Sequence, residues 1–204
     1  MRREGGYVRL PAFAAGQAIG LLGGSFNPPH AGHVLASRLA LTRLRLDRVW
    51  WLATPGNPLK SVADLAALRA RLDASRALVR DPRIRVTGFE SEIGSRYTAE
   101  TLRYLRRRAP GARFVWIMGA DNLAQFHRWK DWEQIAAQVP ILVVDRPGAT
   151  FAALSSRAAQ ALAQWRRPER DAPRLARLAP PAWIFLHGPR SSASSTALRQ
   201  AERN

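Results

Sequence analysis

The sequence predicts an α/β fold: a doubly wound, mainly parallel sheet with helices on both faces. Three observations carry this. Short apolar runs alternate with stretches of helical spacing along the chain, the pattern of parallel strands joined by crossover helices. Runs such as Val49-Trp50-Trp51-Leu52 and Ile141-Leu142-Val143-Val144 are apolar without interruption, as strands covered on both faces are. The first run ends in Gly23-Gly24, where the backbone can turn sharply towards a helix. The expected architecture is Rossmann-like, and its ligands would bind beyond the carboxyl ends of the strands.

The elements follow in order. Ala18–Leu22 predicts the first strand and Gly32–Leu44 the first helix. Arg48–Ala53 predicts the second strand, and Thr54–Pro58 a loop. Leu65, Leu68, Leu72 and Leu78 recur at helical spacing and predict a helix over Ala63–Val79, ended by Asp81-Pro82. Ile84–Thr87 is a short expected strand. Thr98 can cap a helix over Ala99–Arg108 that stops at Pro110-Gly111. Phe114–Met118 is the next expected strand. Helical turns are expected at Asn122–Phe126 and Trp132–Gln138, and a strand at Ile141–Val144. From Arg146 to Arg177 the chain is rich in Ala, Arg, Pro and Gln. This predicts an exposed insertion over 146–177 with one helix, Phe151–Trp165. Ala182–Leu186 and Ser195–Ala201 are the last strand and helix. Residues 18–204 are expected to form a single domain and residues 1–17 a flexible N-terminal extension.

Composition narrows the chemistry. The chain has 204 residues and no cysteine, which excludes disulfides, thiolate metal sites and a cysteine nucleophile. Its formal net charge is +17, and of 32 cationic side chains only Lys60 and Lys130 are lysines. Such a balance suits an anionic partner, either nucleic acid or a phosphorylated small molecule. For the bulk of the arginines, an Arg/Ala-rich codon bias with solvated side chains is the simpler explanation. No run approaches the length of a membrane span. Arg2 and Arg3 precede an Ala/Gly-rich segment that loosely imitates a secretory signal, but Pro11 and Gln17 interrupt it. A cytoplasmic protein with no membrane partner is expected.

The richest stretch is Gly23-Gly24-Ser25-Phe26-Asn27-Pro28-Pro29-His30-Ala31-Gly32-His33. Free amides in such a loop and at the following helix start favour phosphate. His30 and His33, three apart, fall on one face at that helix start. Gly32 leaves room for a ligand against the backbone. The spacing is neither a Walker A loop nor a dinucleotide fingerprint. No third ligand stands at metal-site spacing, so no protein metal site is expected. Near the other end, Ser195 or Thr196 can cap a helix on which Arg199 lies one turn later; a capped surface helix with a solvated arginine is the plain alternative.

His30-Ala31-Gly32-His33 resembles the His-x-Gly-His signature of the nucleotidyltransferase superfamily. Gly-Gly-Ser-Phe-Asn-Pro before it resembles the opening of the bacterial nicotinate-nucleotide adenylyltransferases, many of which have Thr for Ser25 and Asp for Asn27. Ser194-Ser195-Thr196-Ala197-Leu198-Arg199 is similar to a second superfamily signature. The resemblance covers roughly residues 18–204. It implies an ATP site of Gly23, Gly24, Ser25, Phe26, His30, His33, Lys60, Ser195, Thr196 and Arg199, with His33, His30 and Arg199 acting on the phosphates. It also implies an acceptor site. Tyr97 and Thr98 start a helix beside a pyridine ring, Gly119 and Asp121 meet ribose hydroxyls, Trp129 stacks on the ring, and Arg146 reaches a phosphate. Lys130 stands where some relatives have an aromatic residue.

The implied reaction joins ATP to nicotinate mononucleotide, giving nicotinate adenine dinucleotide and pyrophosphate in NAD biosynthesis. Mg2+ would arrive with ATP and keep mostly water ligands. The rival readings are a related enzyme with another acceptor (nicotinamide mononucleotide, phosphopantetheine) and a basic RNA-binding module. The arginines are spread along the chain rather than gathered in one stripe, which weakens nucleic acid as a partner. A homo-oligomer stays open.

Overall fold

The uninterrupted apolar runs lie side by side in one sheet. The computed structural model describes residues 8–56, 65–191, 193 and 195–201. Its strands are β1 (Ala18–Gly24), β2 (Arg48–Ala53), β3 (Ile84–Thr87), β4 (Arg113–Gly119), β5 (Ile141–Val144) and β6 (Trp183–Leu186). They are ordered β3-β2-β1-β4-β5-β6, with every neighbouring pair parallel. The fold is the predicted one. The chain reverses its direction of travel across the sheet between β1 and β4, and a crevice opens at such a switch point.

Helices cover both faces: α1 (Ala31–Arg43), α2 (Leu68–Leu78), α3 (Phe89–Glu92), α4 (Thr98–Arg108), α5 (Ala120–Gln125), α6 (Trp132–Gln138), α7 (Thr150–Leu154), α8 (Arg157–Ala161) and α9 (Ser195–Ala201). Successive strand residues point to opposite faces, so adjacent tryptophans serve different cores. Trp50 belongs to the core that also holds Phe89, Leu102 and Phe126. Trp51 belongs to the core on the other face, with Leu41 and Leu186, and stacks on Phe26.

Three expectations about helices change. The helix after β2 begins at Leu68, later than predicted (residues 63 and 64 lie outside the described residues). The Ala66 carbonyl accepts from the Arg71 Nε at 2.9 Å, so a side chain takes the bond that a further helical turn would need. Thr98 is the first helical residue rather than the cap; Tyr97 holds the cap position, without a side-chain cap bond. The segment 146–177 exposes many side chains, and it also reaches the interior. Ala153, Ala158, Ala159, Leu162, Ala172 and Leu175 are buried in the two cores, because small alanine side chains let α7 and α8 sit close to α5, and the helical turn Glu169–Arg177 close to β4 and β6. Its single expected helix is broken at Ser156, whose Oγ caps α8 by accepting from the Ala159 N–H at 3.2 Å. The described part of the N-terminal extension makes contacts with the domain. The Gly16 N–H donates to the Gly111 carbonyl at 2.7 Å, and the Thr87 hydroxyl to the Arg9 carbonyl at 2.8 Å. Phe13 meets Trp50 edge-on.

Gly23 marks where the sheet meets the crevice. A Cβ there would lie 2.5 Å from the Trp116 ring, and a rigid indole cannot yield as a flexible chain end does. Gly23→Ala should lower unfolding free energy by about 1–3 kcal/mol, the usual cost of overpacking. A chemical-denaturation midpoint equal to that of the parent would contradict this close packing.

Candidate active site

The first crossover builds the site. After Gly24 the backbone enters the left-handed region at Phe26, with φ 48°, costly for a bulky residue. Burial holds it there: the Phe26 ring stacks on Trp51 at 4.9 Å and tilts against His33 at 4.7 Å. Phe26 therefore serves from the core rather than from a cavity wall. Arg71, buried on α2, braces the same loop by donating to the carbonyls of Ser25 at 2.6 Å and Thr54 at 2.9 Å.

His30 sits at the N-cap of α1, and its backbone N–H donates to His33 Nδ1 at 3.2 Å. The two rings stack at 3.8 Å. An accepting Nδ1 leaves the proton of neutral His33 on Nε2. The turn is supported from below: Trp51 Nε1 donates to Ser37 Oγ at 2.7 Å, and that hydroxyl donates to the His33 carbonyl at 2.9 Å. His30 is buried, and its Nδ1 has no hydrogen-bond partner in the described structure. Burial, then the positive charge of Arg146, push its pKa down to about 4, against an opposing pull from Asp121. His30 is thus neutral at pH 7. A Cβ at Gly32 would come within 2.9 Å of His30 Nδ1, so glycine is needed for the imidazole to lie there.

α9 docks onto this loop from the other end of the chain. Ser195 Oγ donates to the Pro28 carbonyl at 2.8 Å, and the Arg199 guanidinium donates to the Asn27 carbonyl. The two sequence signatures are therefore neighbours. Across the crevice, Arg146 donates to the Ala193 carbonyl at 2.9 Å and lies 3.4 Å from Asp121. Buried Asp145 fixes that turn, accepting from Thr150 Oγ1 at 2.6 Å and pairing with Arg190 at 2.8 Å.

These elements enclose a cavity of about 520 Å³, ample for a small-molecule ligand. At one end stand Gly23, Gly24, Ser25, His30, His33, Ser195 and Thr196; at the other Tyr97, Thr98, Gly119, Asp121, Trp129 and Arg146. Arg199 is drawn to the loop carbonyl and does not line the wall. Lys60 lies outside the described residues. Trp129 meets Trp116 and Phe126 edge-on. Lys130, whose role the sequence left open, lies 4.2 Å over the Tyr97 ring and 3.6 Å from Glu100. Sequence reasoning missed Glu90, Arg128 and Thr54 in the wall, and Arg71 behind it. Nothing in their local spacing distinguishes them from surface polar residues.

Among the described residues no three His, Asp or Glu side chains cluster as a metal cage. No described helix is long and apolar enough to cross a membrane.

Residues 21–201 match the cytidylyltransferase-like family. The chain is 65% identical over 181 residues to a probable nicotinate-nucleotide adenylyltransferase of Methylorubrum extorquens, covering 89% of this chain and 98% of that one. It is 56% identical over 184 residues to one from Brucella suis, covering 90% and 95%. Among solved structures it resembles the Plasmodium falciparum nicotinic acid mononucleotide adenylyltransferase complexed with NaAD. The TM-score is 0.67 at 15% identity, over 90% of this chain and 83% of that one, a likeness of fold. Together with the paired signatures around one cavity, these matches show that the chain belongs to the nicotinate-nucleotide adenylyltransferases, within the cytidylyltransferase-like family.

Proposed function

We propose that this cavity transfers AMP from ATP to nicotinate mononucleotide, releasing pyrophosphate and nicotinate adenine dinucleotide. The observation that carries the reading is the seating of the His30–His33 turn and the Tyr97/Trp129 wall in one cavity. The turn offers donors to phosphates and the wall offers a flat aromatic surface to a pyridine.

An oxygen of the acceptor phosphate attacks the α-phosphorus, and the bond to the β-phosphate bridging oxygen breaks. The electron pair leaves with pyrophosphate. The attacking phosphate is already ionised, so no side chain has to remove a proton. What the protein supplies is position and charge stabilisation. His33 Nε2–H is held as a donor and is assigned to the α-phosphate oxygens, where charge grows. Neutral His30 orients the triphosphate. Ser195, Thr196 and Lys60 are assigned to the β/γ-phosphates, and Arg199 is assigned to them from the Asn27 carbonyl that it holds beside the loop. Gly119, Asp121 and Arg146 take the acceptor ribose and phosphate, and Tyr97, Thr98 and Trp129 its ring. Mg2+ would be held by triphosphate oxygens and water rather than by a cage of side chains. The reading keeps the expectation of a cytoplasmic enzyme.

The test is pyrophosphate release from ATP with nicotinate mononucleotide, nicotinamide mononucleotide and phosphopantetheine in turn. Release should be fastest with the nicotinate acceptor. His33→Ala should reduce it by about a hundredfold to a thousandfold, the effect of losing one donor in such a site. Near-normal turnover in that variant would remove His33 from the chemistry, and a different preferred acceptor would overturn the substrate assignment.

The neutral state of His30 has a stability signature. Its folded pKa of about 4 lies below the ordinary 6.5. Between those values the unfolded chain binds the extra proton, so His30 costs stability as pH falls through this window. The difference in unfolding free energy between the parent and His30→Gln should therefore shift by about 3 kcal/mol against the parent from pH 7 to pH 4. A pH-independent difference would show that His30 is not held neutral.

A further inference from the structure

One carboxyl group in the cavity wall has no part in the steps above. Glu90, on α3, is only 7% exposed, yet it borders the cavity together with Tyr97, Thr98 and Trp129. Its Oε1 accepts from Thr101 Oγ1 at 2.7 Å, and that hydroxyl lies 3.2 Å from Ser95 Oγ. Among the described residues no cation pairs with it. Lys130 turns to Glu100, and Arg146 turns to Asp121. A lone carboxylate is costly at such a place. It is more so in a cavity that must receive phosphates and, if the acceptor is nicotinate mononucleotide, a ring carboxylate as well.

We propose that Glu90 is a specificity-determining residue of the acceptor pocket, donating a hydrogen bond from its acid form to the carboxylate of a nicotinate ring. In its ionised form it repels that carboxylate and accepts a carboxamide instead. The inference rests on the substrate reading given above. Burial raises the Glu90 carboxyl to about 7, with the Thr101 hydrogen bond pulling the other way, so the acid form is available near neutrality. The surrounding charges are placed to act on the ligand. His30 faces the cavity from the loop after β1, Asp121 from the first turn of α5 and Arg146 from the turn after β5; Arg96, Arg128 and Lys130 border it near the ring end. From α4 Glu100 reaches Ser95 at 3.4 Å, and Glu92 on α3 itself is exposed. β2, beneath α3, offers Trp50 and Leu52 to that core. A bound carboxylate would raise the proton affinity of Glu90 further, so binding of the acid nucleotide above neutral pH should take up a proton.

Calorimetric titration of the full chain with nicotinate and nicotinamide mononucleotides, from about pH 6 to about pH 8.5, reads this directly. Both nucleotides carry the same phosphate, so its own titration cancels in the ratio of their dissociation constants. In the parent protein the preference for the acid should fall by about tenfold across this range. Binding of the acid at pH 8 should take up part of a proton, seen by comparing buffers of different ionisation heat. Glu90→Gln should give a flat ratio and no uptake. Thr101→Val, which leaves the carboxyl but removes its donor, should move the fall to higher pH. A flat ratio in the parent, or an equally steep fall in Glu90→Gln, overturns the role of Glu90 while leaving the acceptor assignment intact. A folded protein that binds neither nucleotide at any pH overturns both.

Discussion

The hydrogen bond from the His30 backbone N–H to His33 Nδ1 is the constraint on which the site depends. It spends an otherwise unsatisfied amide of the α1 N-terminus, and by accepting there His33 is left with its proton on Nε2. One local contact thus closes a helix end and prepares a donor. The surrounding parts hold that contact in place. Phe26 pins the incoming loop under His33, Ser37 and Trp51 hold the carbonyl behind it, and α9 returns from the far end of the chain to grip the carbonyls of Asn27 and Pro28.

Charge is used in two different ways here. The overall excess of arginine suits polyanionic substrates, but the arginines that matter most are not all pointed at a ligand. Arg71 is buried and divides its donors among three backbone carbonyls. It holds the phosphate loop by tying down groups that would otherwise lack partners. Arg146 bridges Asp121 and Ala193 across the crevice. Where arginines brace the scaffold, the remaining titratable groups are free to be tuned. His30 is kept neutral by burial beside a cation, and Glu90 is raised by burial without one. A reaction whose nucleophile is already ionised needs no base, and the site accordingly invests in geometry and donors.

Much of this was legible in the sequence because parallel strands buried on both faces leave uninterrupted apolar runs. β2 and β5 fall where those runs lie, and the glycine-rich turn marks the crossover that carries the histidines. What escaped was tertiary. The start of α2 depends on where the Arg71 guanidinium goes, and its partners Ser25 and Thr54 are 46 and 17 residues away. α3 is a single turn, too short for periodicity to register. The alanines of α7 and α8 read as surface filler, yet their small size lets those turns bury against α5. Glu90 looks like a solvated helix residue until Thr101 and the cavity are placed around it. Arg199 reaches the loop carbonyl of Asn27 across 172 residues, a contact that no local pattern shows.

The direct test of the central constraint is ring-nitrogen NMR on 15N-labelled protein at neutral pH, with His33 assigned by its loss in His33→Gln. The expected result is an unprotonated Nδ1 and a protonated Nε2 on His33. A proton on Nδ1 would mean that the His30 amide has no acceptor there, and the pre-set donor at the centre of the site would not exist.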